Sequence, residues 1–241
     1  MPDFVNAFLA EYGELLAEGT LSTIVMVLVP TAISYVFGLE LGVVLYLTAP
    51  GSLRPMPVLS AVLGWVVNIL RSFPFIVLMV FIIPFTRVIM GTASGLAGII
   101  PPLVLATTPF IARMVEQSLA EVPRESVEAV EACGASVPRI VFSALLPEAL
   151  PSIVRGVAVV LIAVLGYTAM AGAIGAGGLG DIAVRYGYYR RVDEVMIVAV
   201  IILVIIVQVI QSICDLAARK VDHRGARKAK ASKRAKDKRD A

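Results

Sequence analysis

Four stretches of this chain run for twenty residues or more without an Asp, Glu, Lys or Arg: residues 19–39, 88–112, 156–180 and 195–214. An apolar helix needs about 20 residues to cross a hydrocarbon core of about 30 Å, so each stretch is long enough to span a bilayer. A fifth is interrupted once, because residues 55–70 and 72–86 are uncharged and meet at Arg71. Across the 241 residues, 59% are apolar and 16% charged; soluble domains have about 45–50% and 25%. These numbers exclude a soluble globule and a disordered chain. The expected fold is all-α and polytopic. Five transmembrane helices are predicted over about 19–46, 57–84, 92–112, 156–178 and 194–215, with a cytoplasmic loop at 113–155.

An odd number of spans puts the termini on opposite sides, and basic residues say which is which. Residues 219–241 hold eleven Lys or Arg and three Asp, whereas the first 53 residues hold no basic side chain. The positive-inside rule therefore places the C-terminus in the cytoplasm and the N-terminus outside. Arg54, Arg113, Arg124, Arg139 and Arg155 then fall inside, and Arg87, Arg185, Arg190 and Arg191 outside. The tail, residues 216–241, is read as a solvated, disordered end that enforces this topology. It has no aromatic residues interleaved for base stacking, so no nucleic-acid partner is expected and membrane lipid is.

Residues 1–18 carry Asp3, Glu11, Glu14 and Glu18 where a cleavable leader would carry basic residues, so no leader is expected. Phe4, Phe8, Leu9, Tyr12, Leu15 and Leu16 recur at helical spacing. This external segment can lie on the outer interface or pack against the bundle. Cys133 and Cys214 both face the reducing side, and the single histidine, His223, sits in the tail. No disulfide, metal centre or Ser-His-Asp hydrolase is expected. Gly175, Gly177 and Gly180 satisfy G-x-G-x-x-G literally, but they follow a helical span, not a strand, and lie on the external side. They mark an irregular end to the fourth span.

Between Arg113 and Arg155 the chain is too polar to cross a bilayer and rich in helix signals. Pro123 suits the first turn of a helix carrying Glu125, Glu128 and Glu131, and Gly134 suits its left-handed end. Ala129 and Ala132 give that helix a small-residue surface. Ser136 can cap a second helix with Pro138 in its first turn and Ile140, Val141, Leu145 and Leu146 as its apolar face, ending at Pro147.

The run Glu128-Ala129-Val130-x-x-x-Gly134, nine residues, then Ala144-x-Leu146-Pro147 resembles the EAA loop of ABC importer permeases. Val130 stands where that pattern has a second Ala, and Ala144 where it has Ile. Further matches are Asn68-Ile69-x-Arg71-Ser72-x-Pro74-Phe75-Ile76, Pro84-Phe85-Thr86-Arg87-Val88-Ile89, Pro109 through Glu116, and Leu165-Gly166-Tyr167 through Gly180. Together they look like the permease of methionine-type ABC importers, over most of residues 20–215. The resemblance implies an ABC transmembrane type-1 architecture in a prokaryotic cytoplasmic membrane. It also implies a homodimer, two cytosolic ATPase subunits, and an external substrate-binding protein, often lipid-anchored, that delivers methionine or D-methionine. Glu128, Ala129, Gly134, Leu146 and Pro147 would then form the ATPase-coupling surface.

No G-x-x-x-x-G-K-[ST] loop occurs in the chain, so it is expected to bind no cofactor and to be non-catalytic, with ATP and Mg used by the partner ATPase. Glu128 is the candidate polar anchor to that partner, against the alternative of a solvated helix glutamate. Asn68 and Arg71 are costly to leave facing lipid and are candidates for the translocation path. Arg71 can instead snorkel to the interface or bond to helix ends. Tyr167 and Met170 can line an apolar passage suited to a thioether, or simply pack. Tyr186, Tyr188 and Tyr189 suit the outer aromatic belt. The alternatives are a permease for another small amino acid and an ATP-independent secondary transporter. The latter usually carries buried carboxylates or histidines, and the four clean stretches hold none.

Overall fold

The computed structural model describes residues 2–172 and 174–221. The described chain is mostly helical, and no strand occurs among the described residues. Its elements are α1 (Pro2–Thr48), α2 (Pro57–Ser72), α3 (Phe75–Phe81), α4 (Ile83–Met90), α5 (Gly95–Ala120), α6 (Arg124–Ala132), α7 (Val137–Ile140), a π turn (Val141–Leu145), α8 (Leu146–Gly172), α9 (Gly178–Ile182), a second π turn (Ala183–Tyr189) and α10 (Asp193–Val221). Most of the basic tail, with His223, lies outside the described residues.

Four helices are long and apolar enough to cross a membrane, and the bent pair α2 and α3 makes a fifth crossing if it counts as one span. The expectation of one continuous span over 57–84 is corrected here: α2 and α3 meet at 101°. The break does not fall at Arg71, the charge that interrupts the hydropathy. It falls two residues later, where Pro74 lacks an N–H and holds Phe73 in an extended conformation, ψ 126°. Helix α5 continues through Ala120, past the expected membrane boundary at residue 112, so the stretch between long helices is shorter than the predicted 113–155 loop.

A close and extended seam joins α1 to α5, along Ser34, Gly38 and Gly42, one small residue per turn. A Cβ added at Gly38 would lie 2.7 Å from Ile111 Cγ2, and one at Gly42 would lie 2.6 Å from the Ala112 carbonyl oxygen. The Ser34 hydroxyl donates to the Val104 carbonyl at 3.4 Å. Small residues let two backbones approach this closely, which is how helices associate where lipid supplies no hydrophobic drive. Contacts advance in the same sense on both helices, from 34 with 104 to 42 with 115, so α1 and α5 run parallel.

Helix α8 runs antiparallel to α5, with Ser118 against Ser152 at one level and Met114 against Gly156 at the next. The chain then turns sharply through Gly175, Gly177 and Gly178, all at positive φ, and α9 folds back so that Gly180 meets the Ala169 backbone. Thr23 of α1 fixes this hairpin, since its hydroxyl donates to the Gly19 carbonyl at 2.8 Å and accepts from the Leu179 amide at 2.9 Å. Helix α10 returns along the bundle and brings Asp215 and Arg219 beside Arg155.

The bundle therefore has a glycine-turn end, holding the start of α1, the α4–α5 junction and residues 174–195. Its loop end holds residues 45–56, α6, α7 and the last turns of α10. The described chain begins at the first and finishes at the second. Phe8, Tyr12, Leu15 and Leu16 pack on Leu179, Ile182 and Val195 at the glycine-turn end. Of the two sequence readings of this segment, the structure thus gives the packed one, as an unbroken continuation of α1.

Replacing Gly42 with Leu is expected to destabilise the bundle by roughly 1–3 kcal/mol, because the seam cannot widen without losing its contacts. Gly13→Ala, where the nearest neighbour to an added Cβ is Leu9 at 3.9 Å, is the neutral control. Thermal unfolding of the two detergent-solubilised variants, followed by monodispersity on a sizing column, measures the difference.

Candidate functional site

Helix α6 is the most solvent-directed element of the loop end. Pro123 stands just before it, φ −57° and ψ 131°, and Glu125 sits in its first turn, where a carboxylate complements the helix dipole. Val127 and Val130 turn inward onto the core, while Glu128, Ala129, Glu131 and Ala132 are exposed. Gly134 ends the helix in the left-handed region, φ 77°, with its amide donating to the Glu131 carbonyl at 2.8 Å. Nothing lies within 4 Å of a Cβ built at Gly134, so glycine is required there by conformation and not by crowding. The outcome is a flat acidic and small-residue face ending in a sharp corner.

The second loop helix departs from the sequence expectation. Ser136 occupies the N-cap position without a side-chain capping bond, and Ile140, Val141, Ala144 and Leu145 are buried. Leu146 is half-buried and Pro147 exposed. The helix does not stop at Pro147. It passes through a π turn at Val141–Leu145 and continues as α8 to Gly172. The wider turn changes which carbonyls lie opposite the proline, so the missing N–H and the ring are accommodated without a break. Phe142, 73% exposed in this turn, was not among the sequence candidates. Its one signal was an aromatic residue out of phase with the buried positions.

Three polar links tie this loop to the long helices. The Arg124 guanidinium donates to the Gly51 carbonyl at 3.3 Å, fastening α6 to the α1–α2 turn. The Ser152 hydroxyl donates to Glu121 Oε2 at 3.0 Å, and Ser118 donates to Ser152 at 3.2 Å, fastening the end of α5 to the start of α8. The first of these links holds α6 itself, and the other two hold the helices on either side of the loop to each other.

The four translocation-path candidates divide into two pairs. Asn68, exposed on α2, accepts from Arg113 Nη2 at 3.2 Å; the same nitrogen donates to the Gly64 carbonyl at 3.0 Å, and Nη1 pairs with Glu116 at 2.7 Å. Arg113 is thus the hub of an α2–α5 clamp, a role that its position at the end of a clean stretch did not reveal. Arg71 is exposed and lies 6.0 Å from the Phe110 ring centroid, a cation–π placement. On the far side of the Phe73–Pro74 break, Tyr167 stacks on Phe75, with ring centroids 4.8 Å apart and planes at 16°. Met170 is 47% exposed.

Long apolar helices around a broken span, with a folded loop that exposes a polar face at one end, define a multi-pass membrane protein. The comparisons with known proteins agree. The chain belongs to the family of binding-protein-dependent transport system inner membrane components, whose model matches residues 38–225. It is 46% identical over 213 residues to the probable D-methionine transport system permease protein MetI of Vibrio cholerae, covering 88% of this chain and 94% of that one. It is 47% identical over 158 residues to the D-methionine transport system permease protein MetI of Escherichia coli, covering 66% of this chain and 73% of that one. Among solved structures, the MetNI methionine ABC transporter in inward-facing conformations matches with a TM-score of 0.87 at 45% identity, over 88% of this chain and 99% of that one. An amino acid ABC transporter crystallised with histidines shares the fold, with a TM-score of 0.68 at 18% identity.

Gly134→Val is expected to strain the corner by about 1–2 kcal/mol without unfolding the bundle, since no neighbour is struck. Limited proteolysis in membranes, with cleavage rising between residues 131 and 140 and unchanged elsewhere, is the measurement.

Proposed function

We propose that this chain is the permease subunit of an ATP-driven importer that carries methionine, in the L or D form, across the cytoplasmic membrane. The observation that carries the reading is the exposed α6 face, Glu128, Ala129 and the Gly134 corner, fastened by Arg124 to the α1–α2 turn and set between α5 and α8, which the Ser118–Ser152–Glu121 chain ties together. Such a face is a docking surface with levers attached. The relatives' names and the transporter of similar structure support both the class and the substrate.

In this reading the loop end is cytoplasmic, as its Arg54, Arg113, Arg124, Arg139 and Arg155 favour, and the glycine-turn end faces outward. Two copies of the chain form the membrane unit, and two cytosolic ATPase subunits bind the α6 faces. An external binding protein delivers substrate to the other end. The chain performs no chemistry and binds no nucleotide; ATP and Mg act in the partner. Closure of the ATPase pair moves the two α6 elements, and the polar links convert that movement into rocking of the bundles between inward-facing and outward-facing states. Leu146 and Pro147 form the joint between loop and span, while Glu128 supplies the polar contact.

Three measurements test this. Uptake of labelled methionine in cells lacking the chain is expected to fail and to return on restoration, with unlabelled methionine competing; uptake that never depends on the chain would overturn the substrate. Glu128→Lys is expected to abolish co-purification of the ATPase while membrane abundance stays normal, and normal ATP-dependent transport by that variant would remove the α6 face from the mechanism. Cys133, exposed beside Gly134 where Cys214 is buried, reports both sidedness and docking. A membrane-impermeant maleimide should label it in inverted vesicles and not in intact cells, and bound ATPase should protect it.

A further inference from the structure

Where α8 leaves the loop and α10 reaches its last turns, a pocket of about 210 Å³ opens between the two helices, lined by Arg155, Asp215, Ala218 and Arg219. Its depth in the membrane follows from the sequence. Residues 156–180 and 195–214 carry no Asp, Glu, Lys or Arg, and the second stretch makes about 30 Å of helix, about one hydrocarbon core. Arg155 is the last charged residue before the first stretch, and Asp215 is the first after the second. Both therefore sit at one boundary of the bilayer, with Arg219 one turn further into the headgroup layer.

The charges in this pocket are arranged for a ligand that carries both signs. Ala218 is small and buried, 4% exposed, which leaves space between its charged neighbours. Asp215 and Arg219 are exposed, and neither side chain has an ion-pair or hydrogen-bond partner among the described residues. A carboxylate and a guanidinium thus face one space without pairing with each other. Below them, residues 204, 208, 211, 215 and 219 share one face of α10 by helical spacing and are all exposed. That face grades from charge at Arg219 and Asp215, through the amides of Gln211 and Gln208, to apolar Val204. On α8, Val159 is exposed one turn inward of Arg155. Charge, amide and hydrocarbon follow one another in the order of a phospholipid's own headgroup, ester carbonyls and acyl chain.

We infer that this pocket holds the headgroup of an aminophospholipid of the phosphatidylethanolamine class, with its phosphate on Arg155 and Arg219 and its ammonium on Asp215. The ester carbonyls lie beside Gln211, and an acyl chain runs along Val204 and Val159. Basic pockets between spanning helices take lipid headgroups, and charge complementarity selects this one. An anionic lipid leaves Asp215 unmatched, and a choline headgroup has no N–H to donate to it. The bound lipid bridges the start of α8 to the end of α10, one turn from the tie between Ser152 and Glu121. The inference concerns the bilayer around the chain, so it stands apart from the importer reading and from the identity of the cargo.

The test is native mass spectrometry of the full-length chain, released from a mild detergent and titrated with phosphatidylethanolamine, phosphatidylcholine and phosphatidylglycerol of identical acyl chains. Phosphatidylethanolamine is expected to be retained about threefold to fivefold more tightly than phosphatidylcholine, the effect of one exposed charge pair. Arg219→Gln is expected to lower its retention about fivefold, and Asp215→Asn to abolish the preference over phosphatidylcholine. Arg54→Gln, at an exposed residue of the same end of the bundle, is the control that changes neither. Equal retention of phosphatidylethanolamine and phosphatidylcholine by the unmodified chain, or stronger retention of phosphatidylglycerol, would overturn the inference whatever the variants do. Unchanged retention by Arg219→Gln would overturn the site. Displacement of the lipid by equimolar glycerophosphoethanolamine, the same headgroup without acyl chains, would overturn the lipid as its occupant.

Discussion

The close parallel contact of α1 with α5 governs the rest of the architecture. In lipid, helices gain little from burying apolar surface against one another, so backbone proximity and packing must hold them together. Ser34, Gly38 and Gly42 provide that proximity, with added Cβ atoms at the two glycines falling within 2.8 Å of α5 atoms. Because the two helices point the same way, the chain between them must travel back along the full height of the bundle. That return is made by α2, α3 and α4 in short pieces, and the Arg113 clamp to Asn68 and Gly64 holds its first piece against α5.

The return segment carries most of what the sequence left hidden. Long uncharged stretches are legible because lipid imposes a simple length rule, and the helices α1, α5, α8 and α10 follow from it. Hydropathy is blind to direction, however. It registered Arg71 as the interruption and passed over Pro74, whose ring costs nothing on an apolarity scale and turns the chain by 101°. The Ser34–Gly38–Gly42 stripe was equally invisible to charge counting, since its meaning lies in periodicity and in the partner it faces.

At the loop end the outcome was mixed for a similar reason. Gly134 was readable because one residue type suits one backbone conformation, and its φ of 77° matches that reasoning. Pro147 was misread because the rule that proline ends a helix assumes a regular ladder behind it. Glu128 was singled out by its place in the motif, but the burial of Val127 beside it was not read, and the ties from Arg124 to Gly51 and from Ser152 to Glu121 join residues 73 and 31 positions apart. Pairings of that kind exist only once the fold does.

The π turn at Val141–Leu145 joins the loop to α8. A π turn accommodates an additional residue within an otherwise α-helical path. Deleting one residue there would leave a smooth α-helix with the flanking segments in much the same orientation, and Pro147 would then meet a regular hydrogen-bond ladder that its ring and missing N–H interrupt. Lineages of this protein should therefore accept substitutions in the turn far more readily than changes in its length.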